Sequence, residues 1–332
     1  MDVIMPDRKL LRVFVAPEGI CNYDCLYCMN EKSNTEIMWD LSRHECDVLL
    51  ACVKMSGCTE LMLTGGEPFL CPVPALQNLI SAVCGIEGFK PPRITTNASL
   101  VTAENITALI DAGLQRISVS LHGYDTETYE AITSASRVHF SFDALLGNIR
   151  LLANMGLDVK TDLCLYNVNN TFDAEKLLPL LMCLEDCGVA EFGYNRMHNV
   201  PRIEAHFDSV YIDEASIQDL FSKWIRHGRD GELGAFFRNP NGRLKVIIPY
   251  SPVKPELNQR CLSNQCETRC QGNYSSYVVR TREGERDGLT FRACNRVFDD
   301  KRNEYFVPIA WIRENKLDHV TEVINTVWRY TR

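Results

Sequence analysis

Six short apolar runs, with helical stretches between them, order the first 200 residues of this chain. The runs are Leu10–Val15, Glu60–Leu63, Arg93–Thr96, Arg116–Ser120, Val159–Leu165 and Glu191–Met197. A capping box, Ser42 with Glu45, starts a helix that reaches about Met55. Further helical stretches cover about Pro74–Cys84, Thr102 to the Ala112-Gly113 stop, Phe142–Met155 closed by Gly156, and Asp173–Cys187 stopped by Gly188. Strands alternating with helices of this length predict parallel βαβ units with right-handed crossovers. Polar or glycine-bearing turns repeatedly follow the strands, and in such folds that edge carries the active site.

From about Asp213 the pattern changes. A helix is expected to about His227, then a turn-rich stretch with Gly228, Gly231, Gly234, Pro240 and Gly242. Strands are expected over Leu244–Ile248, Tyr274–Arg280 and Leu289–Ala293, and an amphipathic helix over Leu317–Tyr330. A boundary near 205–215 divides an α/β body, residues 1–210, from a smaller α+β domain, residues 211–332.

The chemistry concentrates in Cys21-Asn22-Tyr23-Asp24-Cys25-Leu26-Tyr27-Cys28, directly after the first strand. Three thiols spaced x3 then x2 on one loop can wrap a single cofactor. An iron–sulfur cubane takes thiolate ligands, usually four; three from the protein leave one iron open to a small molecule. Zinc is the competing reading. Structural zinc wants four ligands, commonly in C-x2-C pairs, and the next cysteine, Cys46, falls inside a helix. Fifteen cysteines with no export signal point to a reducing, cytoplasmic setting and to metal use over a disulfide framework. A net charge of −8 removes the global basic footprint of a nucleic-acid binder, and no apolar run approaches a membrane span.

The cysteine spacing, the aromatic Tyr27 before the last cysteine and Gly65-Gly66-Glu67-Pro68 after the second strand together resemble the radical S-adenosylmethionine (SAM) superfamily. Within it the chain is most similar to the GTP cyclase family of molybdenum-cofactor biosynthesis. The likeness rests on Leu11-Arg12-Val13-Phe14-Val15 before the cysteine loop, Thr95-Thr96-Asn97, Arg116-Ile117-Ser118-Val119-Ser120-Leu121, Tyr129-Glu130-Ala131-Ile132-Thr133 and Val159-Lys160. It covers about residues 10–200 well and the remainder loosely.

The resemblance implies a partial (β/α)6 TIM-like barrel. It implies that Cys21, Cys25 and Cys28 ligate a [4Fe–4S] cluster whose open iron chelates S-adenosylmethionine. Reductive cleavage would give methionine and a 5′-deoxyadenosyl radical that takes a hydrogen atom from substrate. Gly65, Gly66 and Glu67 are implied at the methionine ammonium, Asn97 and Ser120 at the carboxylate and ribose hydroxyls, and Lys160 at the carboxylate. Tyr27 and Met197 are implied at adenine. Met197 reads as well as a core methionine, and Lys160 as a solvated lysine. An external flavodoxin- or ferredoxin-type reductant would supply the electron.

Three departures set the chain apart from the cyclase. It ends Arg329-Tyr330-Thr331-Arg332 where that family has a Gly-Gly tail. Its C-terminal cysteines run Cys261-x4-Cys266-x3-Cys270 with Cys294 after a hairpin, and Asn295-Arg296 follows the last. Position 122, after the fourth strand's Ser-Leu, is histidine in place of aspartate. The expectation is therefore a relative with a second, C-terminal cluster on Cys261, Cys266, Cys270 and Cys294; zinc there is the alternative. His122 is the candidate to bind substrate or shuttle a proton, against a structural histidine in a turn. Cys164, near the end of the fifth strand, reads as a buried core cysteine or as a thiol that could give a hydrogen atom to a radical; Cys183 and Cys187, at i, i+4 on one helix, read as core residues. Arg280, Arg282, Arg286, Arg292 and Arg296 form a dense basic set suited to phosphate, or equally a solvated hairpin face.

The leading expectation is hydrogen abstraction from a nucleotide, nucleoside or sugar-nucleotide, driving cyclisation, C–C bond formation or rearrangement. Modification of a peptide is the alternative; the few residues before the first strand leave little room for a leader-binding domain. A metal-stabilised scaffold or electron carrier is the non-enzyme reading.

Overall fold

The computed structural model describes residues 9–17, 19–25, 28, 35–133, 138–165, 174–196, 219–229, 234–249, 275–292 and 304–330. Six parallel strands follow one another across the sheet. They are β1 (Lys9–Ala16), β2 (Cys58–Gly65), β3 (Arg93–Thr96), β4 (Arg116–Ser120), β5 (Asp158–Leu165) and β6 (Glu191–Arg196). Between them run α1 (Arg43–Met55), α2 (Val73–Cys84), α3 (Ala103–Asp111), α4 (Thr126–Thr133), α5 (Phe142–Asn154) and α6 (Ala174–Asp186). The capping box at Ser42 forms: Glu45 N–H donates to Ser42 Oγ, and Ser42 N–H donates back to Glu45 Oε2. Helix α4, which the periodicity does not single out, begins just after Asp125. Asp125 accepts from Thr128 N–H, in the manner of an N-cap.

The later residues lengthen this sheet at both edges. On one side, β7 (Ile225–Arg229), β8 (Gly234–Arg238) and β9 (Lys245–Pro249) form an antiparallel meander, and β9 pairs parallel with β6. On the other side, β10 (Ser275–Glu283) pairs parallel with β1 and continues into β11 (Arg286–Arg292) and β12 (Glu304–Pro308). The described strands form one sheet in the order β12-β11-β10-β1-β2-β3-β4-β5-β6-β9-β8-β7.

Two sequence expectations need correction here. The helix expected to reach His227 gives way at Ile225 to β7, and the turn-rich stretch contains β8. Glycines at 228, 231 and 234 interrupt helical propensity. An aromatic stack of Phe221 on Phe237, centroids 4.6 Å apart, holds this edge. Strand β12 went unread in the sequence.

The helices cover one face of the parallel strands. Ile94, Thr96, Ile117, Val119, Val159 and Thr161 point to that side and are buried. Two last helices follow, α7 (Ile309–Arg313) and α8 (Leu317–Tyr330). Helix α8 buries Val320, Ile324 and Val327, an i, i+4, i+7 stripe, and Cys52 of α1 donates its thiol to Leu317 O. Period-2 alternation then places Arg93, Thr95, Ser118, Ser120, Lys160 and Asp162 on the other face, the barrel interior. No described helix is long and apolar enough to cross a membrane.

Candidate functional site

Three loops meet at the C-terminal ends of β1, β2 and β3. The cysteine loop leaves β1, and Gly65-Gly66-Glu67 leaves β2 beside it, with Ala16 and Gly65 in register. The contact is backbone on backbone. A Cβ on Gly65 would lie 2.1 Å from Ala16 O, and one on Gly66 1.8 Å from Ile20 O. Gly65 also sits at φ 128°, where side chains are strained. Glu67 N–H donates to Ile20 O at 3.0 Å and closes the seam. The glycine pair thus gives close approach to the cysteine loop itself.

Glu67 is buried, and its carboxylate turns to β3. Oε1 accepts from Thr96 Oγ1 at 2.7 Å and from Phe69 N–H at 3.0 Å; Oε2 accepts from Asn97 N–H at 2.8 Å. Burial raises its pKa and these three donors oppose the rise. Its side chain is thus engaged with the protein, where the sequence placed it at a ligand's ammonium.

Asn97 joins β3 to the cysteine loop. Its Nδ2 donates to Asn22 Oδ1 at 2.9 Å and lies 3.8 Å from Cys21 Sγ. Its Oδ1 accepts from Ser99 N–H and Ser99 Oγ, and Asn22 Nδ2 donates to Ser99 Oγ at 2.7 Å. On the far side of the loop, the Tyr23 and Tyr129 hydroxyls share a 2.9 Å hydrogen bond. The loop is therefore fastened at Asn22 and at Tyr23, between its first two cysteines. Sequence reading missed Asn22, Ser99 and Tyr129 in these roles; the signal for Asn22 was its place inside the cysteine spacing.

Cys21, Cys25 and Cys28 are partly buried thiols. Burial pushes Cys21 up to about 11, and the neighbouring Cys28 and Glu67 charges add to the rise. No three described His, Cys, Asp or Glu side chains converge as a single metal ion would require. A cubane cluster spreads its thiolates more widely than one ion does, and three thiols on one fastened loop fit that donor set. Tyr27, Met197, Cys261, Cys266, Cys270 and Cys294 lie outside the described residues.

Farther round the barrel, Ser120 ends β4 in register with Asp162 of β5. Lys160 Nζ lies between two carboxylates, 3.0 Å from Asp162 Oδ1 and 3.4 Å from Glu191 Oε1. Lys160, expected at a ligand carboxylate, is held by the protein's own. His122 is buried at φ 50°, and burial lowers its pKa to about 3. Its ring is neutral at physiological pH. The next residue, Gly123, admits α4, for a Cβ there would lie 2.6 Å from Tyr129 Cα.

The hairpin arginines are matched by acids. Arg280, buried, contacts Asp40 at 2.6 Å and Asp287 at 2.5 Å and donates to Gly288 O. Arg282 meets the same two aspartates, Arg292 meets Glu36 at 2.9 Å, and Arg286 lies over the Phe306 ring. Glu36 and Asp40 belong to the segment after the cysteine loop, which bridges to Thr281. The arginines thus strap that segment to β10 and β11. Arg296 lies outside the described residues.

Comparison with known proteins matches residues 17–179 to the radical SAM superfamily. GTP 3′,8-cyclase of Chlorobaculum tepidum is 35% identical over 165 residues, 49% of this chain and 48% of that protein. The match thus spans about half the length of that relative. Probable GTP 3′,8-cyclase of Saccharolobus islandicus is 28% identical over 256 residues, 74% of this chain and 76% of the relative. Among solved structures, Streptococcus suis SuiB bound to S-adenosylmethionine superposes with a TM-score of 0.61 at 14% identity. That match covers 94% of this chain and 65% of SuiB, and it shows a shared fold. With its cysteine loop, its glycine loop and its parallel barrel, the chain belongs through residues 17–179 to the radical SAM superfamily, a superfamily of enzymes.

Proposed function

We propose that this protein reductively cleaves S-adenosylmethionine and abstracts hydrogen from a nucleotide, nucleoside or sugar-nucleotide. One observation carries the reading: the three-cysteine loop is clasped at the C-terminal edge of the barrel by Gly65-Gly66 and by Asn97. Cys21, Cys25 and Cys28 would hold the [4Fe–4S] cluster. When bound, that cluster supplies the electron that cleaves the sulfonium. The protein's part is orientation and exclusion of water. Asn22, Asn97 and Ser99 fix the first cysteine; Tyr23 and Tyr129 fix the loop beside it. Ser120 faces the barrel interior, where it can meet a ribose hydroxyl. A second cluster on Cys261, Cys266, Cys270 and Cys294, an external one-electron reductant and a cytoplasmic setting belong to the same proposal.

The nucleotide class is supported by the likeness to proteins named GTP 3′,8-cyclase, one of them across three quarters of this chain. The test uses reconstituted, reduced protein with SAM and a panel of nucleotides and sugar-nucleotides deuterated in the sugar. The reading expects deuterium in the released 5′-deoxyadenosine from at least one of them. Release without deuterium from any would direct the search to peptides.

A further inference from the structure

Arg93 opens β3 on the barrel-interior face, and among the described residues its guanidinium has no ion pair. Its Nε is buried with no hydrogen-bond partner. Its register neighbours are Met62 of β2, which offers no charge, and Arg116 of β4, which carries the same charge. Arg116 reaches Asp158 at 3.8 Å, a long contact on the side away from Arg93. Burial and the Arg116 charge weaken the hold of Arg93 on its proton; the carboxylates of Glu191, Asp158 and Asp162 oppose this from a distance, none of them close enough to pair with the guanidinium. Like charges directly opposite on neighbouring strands are destabilising, and a buried guanidinium N–H without an acceptor is costly. An anion between the two arginines would remove both penalties.

Lys160, another interior cation, argues the same way by contrast. Lys160 is already flanked by Asp162 and Glu191. The hairpin arginines 280, 282 and 292 are matched by Asp40, Asp287 and Glu36. Arg93 thus keeps a buried Nε without a hydrogen-bond partner, and a guanidinium fork suits phosphate.

We propose that Arg93, with Arg116 beside it, anchors a phosphate group of the substrate on the barrel floor, and that Lys160 does not serve as an anion anchor. The proposal rests on the reading above and adds to it where the substrate's charge lies. Asn97, beside Cys21, stands four residues along the same chain segment, about 13 Å at a strand's rise. A phosphate held at Arg93 therefore lets the sugar of a nucleotide or sugar phosphate extend toward the cysteine loop.

The test is GTP binding by titration calorimetry to the anaerobically reconstituted full chain. Wild type is compared with Arg93→Met, Arg93→Lys and Lys160→Met, each first shown to melt cooperatively. The expected result is a Kd raised tenfold or more in Arg93→Met, partly restored in Arg93→Lys, and changed less than threefold in Lys160→Met. The proposal is overturned if wild type fails to bind GTP, if Arg93→Met binds it as wild type does, or if Lys160→Met loses as much as Arg93→Met. Release of 5′-deoxyadenosine by wild type, measured in the same preparation, separates this result from the proposed function. Release with no GTP binding sinks only the anchor; no release sinks the reading beneath it.

Discussion

The backbone N–H of Asn97 donates to Glu67 Oε2 at 2.8 Å, and through this bond the glycine loop of β2 is tied to the end of β3. The same asparagine's side chain holds Asn22 inside the cysteine loop. Two residues therefore link all three loops of the candidate site. In Glu67→Gln one carboxylate oxygen becomes an amide that donates where Thr96, Phe69 or Asn97 already donates. The expected cost is about 1–3 kcal/mol for a buried donor left without its acceptor. Thermal denaturation checks it; an unchanged Tm would mean that the three bonds do not hold the loop.

Gly66→Ala tests the seam between the loops. Its Cβ would fall on Ile20 O, a backbone atom that cannot turn aside. The variant is expected to lose most of its iron after reconstitution while keeping its helical circular dichroism. Wild-type iron content in this variant would show that the seam is not needed to shape the cysteine loop.

His122 makes stability acid-sensitive. Burial holds its folded pKa at about 3, while an unfolded histidine titrates near 6.5. Below about pH 6.5 the unfolded chain takes up a proton that the folded chain refuses until about pH 3. The contribution of the neutral ring is thus complete above pH 6.5 and falls as pH drops, by about 1.4 kcal/mol per unit. His122→Asn, with a residue that tolerates positive φ, is expected to flatten this slope between pH 6.5 and 4.5. Denaturant titrations across that range check it; equal slopes would mean that other groups govern the acid limb.

Arg280 straps Asp40 to Asp287. Arg280→Met leaves Asp40 and Asp287 without their buried partner. Both aspartates are partly exposed, so the cost is discounted to roughly 1–3 kcal/mol. Chemical denaturation reads the loss, and GTP affinity is expected to stay within threefold in Arg282→Met, which leaves the buried arginine in place. A tenfold loss of GTP affinity in Arg282→Met would return the phosphate to the hairpin.

The parallel barrel was legible because each apolar run keeps its period and ends in a polar turn; Arg93–Thr96 and Arg116–Ser120 form strands with the expected bounds. The cysteine and glycine loops were legible from spacing. What surrounds them was not. That Glu67 turns to Thr96 and Asn97, that Gly66 abuts Ile20, and that Lys160 sits between Asp162 and Glu191 all depend on register between strands far apart in sequence, which periodicity does not encode. The Asp40–Arg280 and Glu36–Arg292 contacts join residues more than 200 positions apart. β7 was hidden because a run such as Ile225–Arg229 becomes a strand only with β8 beside it.

The most direct measurement is 5′-deoxyadenosine release from SAM by anaerobically reconstituted, dithionite-reduced protein, wild type beside Cys25→Ala. The account predicts steady release from wild type, carrying about four irons or more per chain, and none from the variant. Absence of release from iron-loaded wild type, or equal release from both proteins, would contradict it.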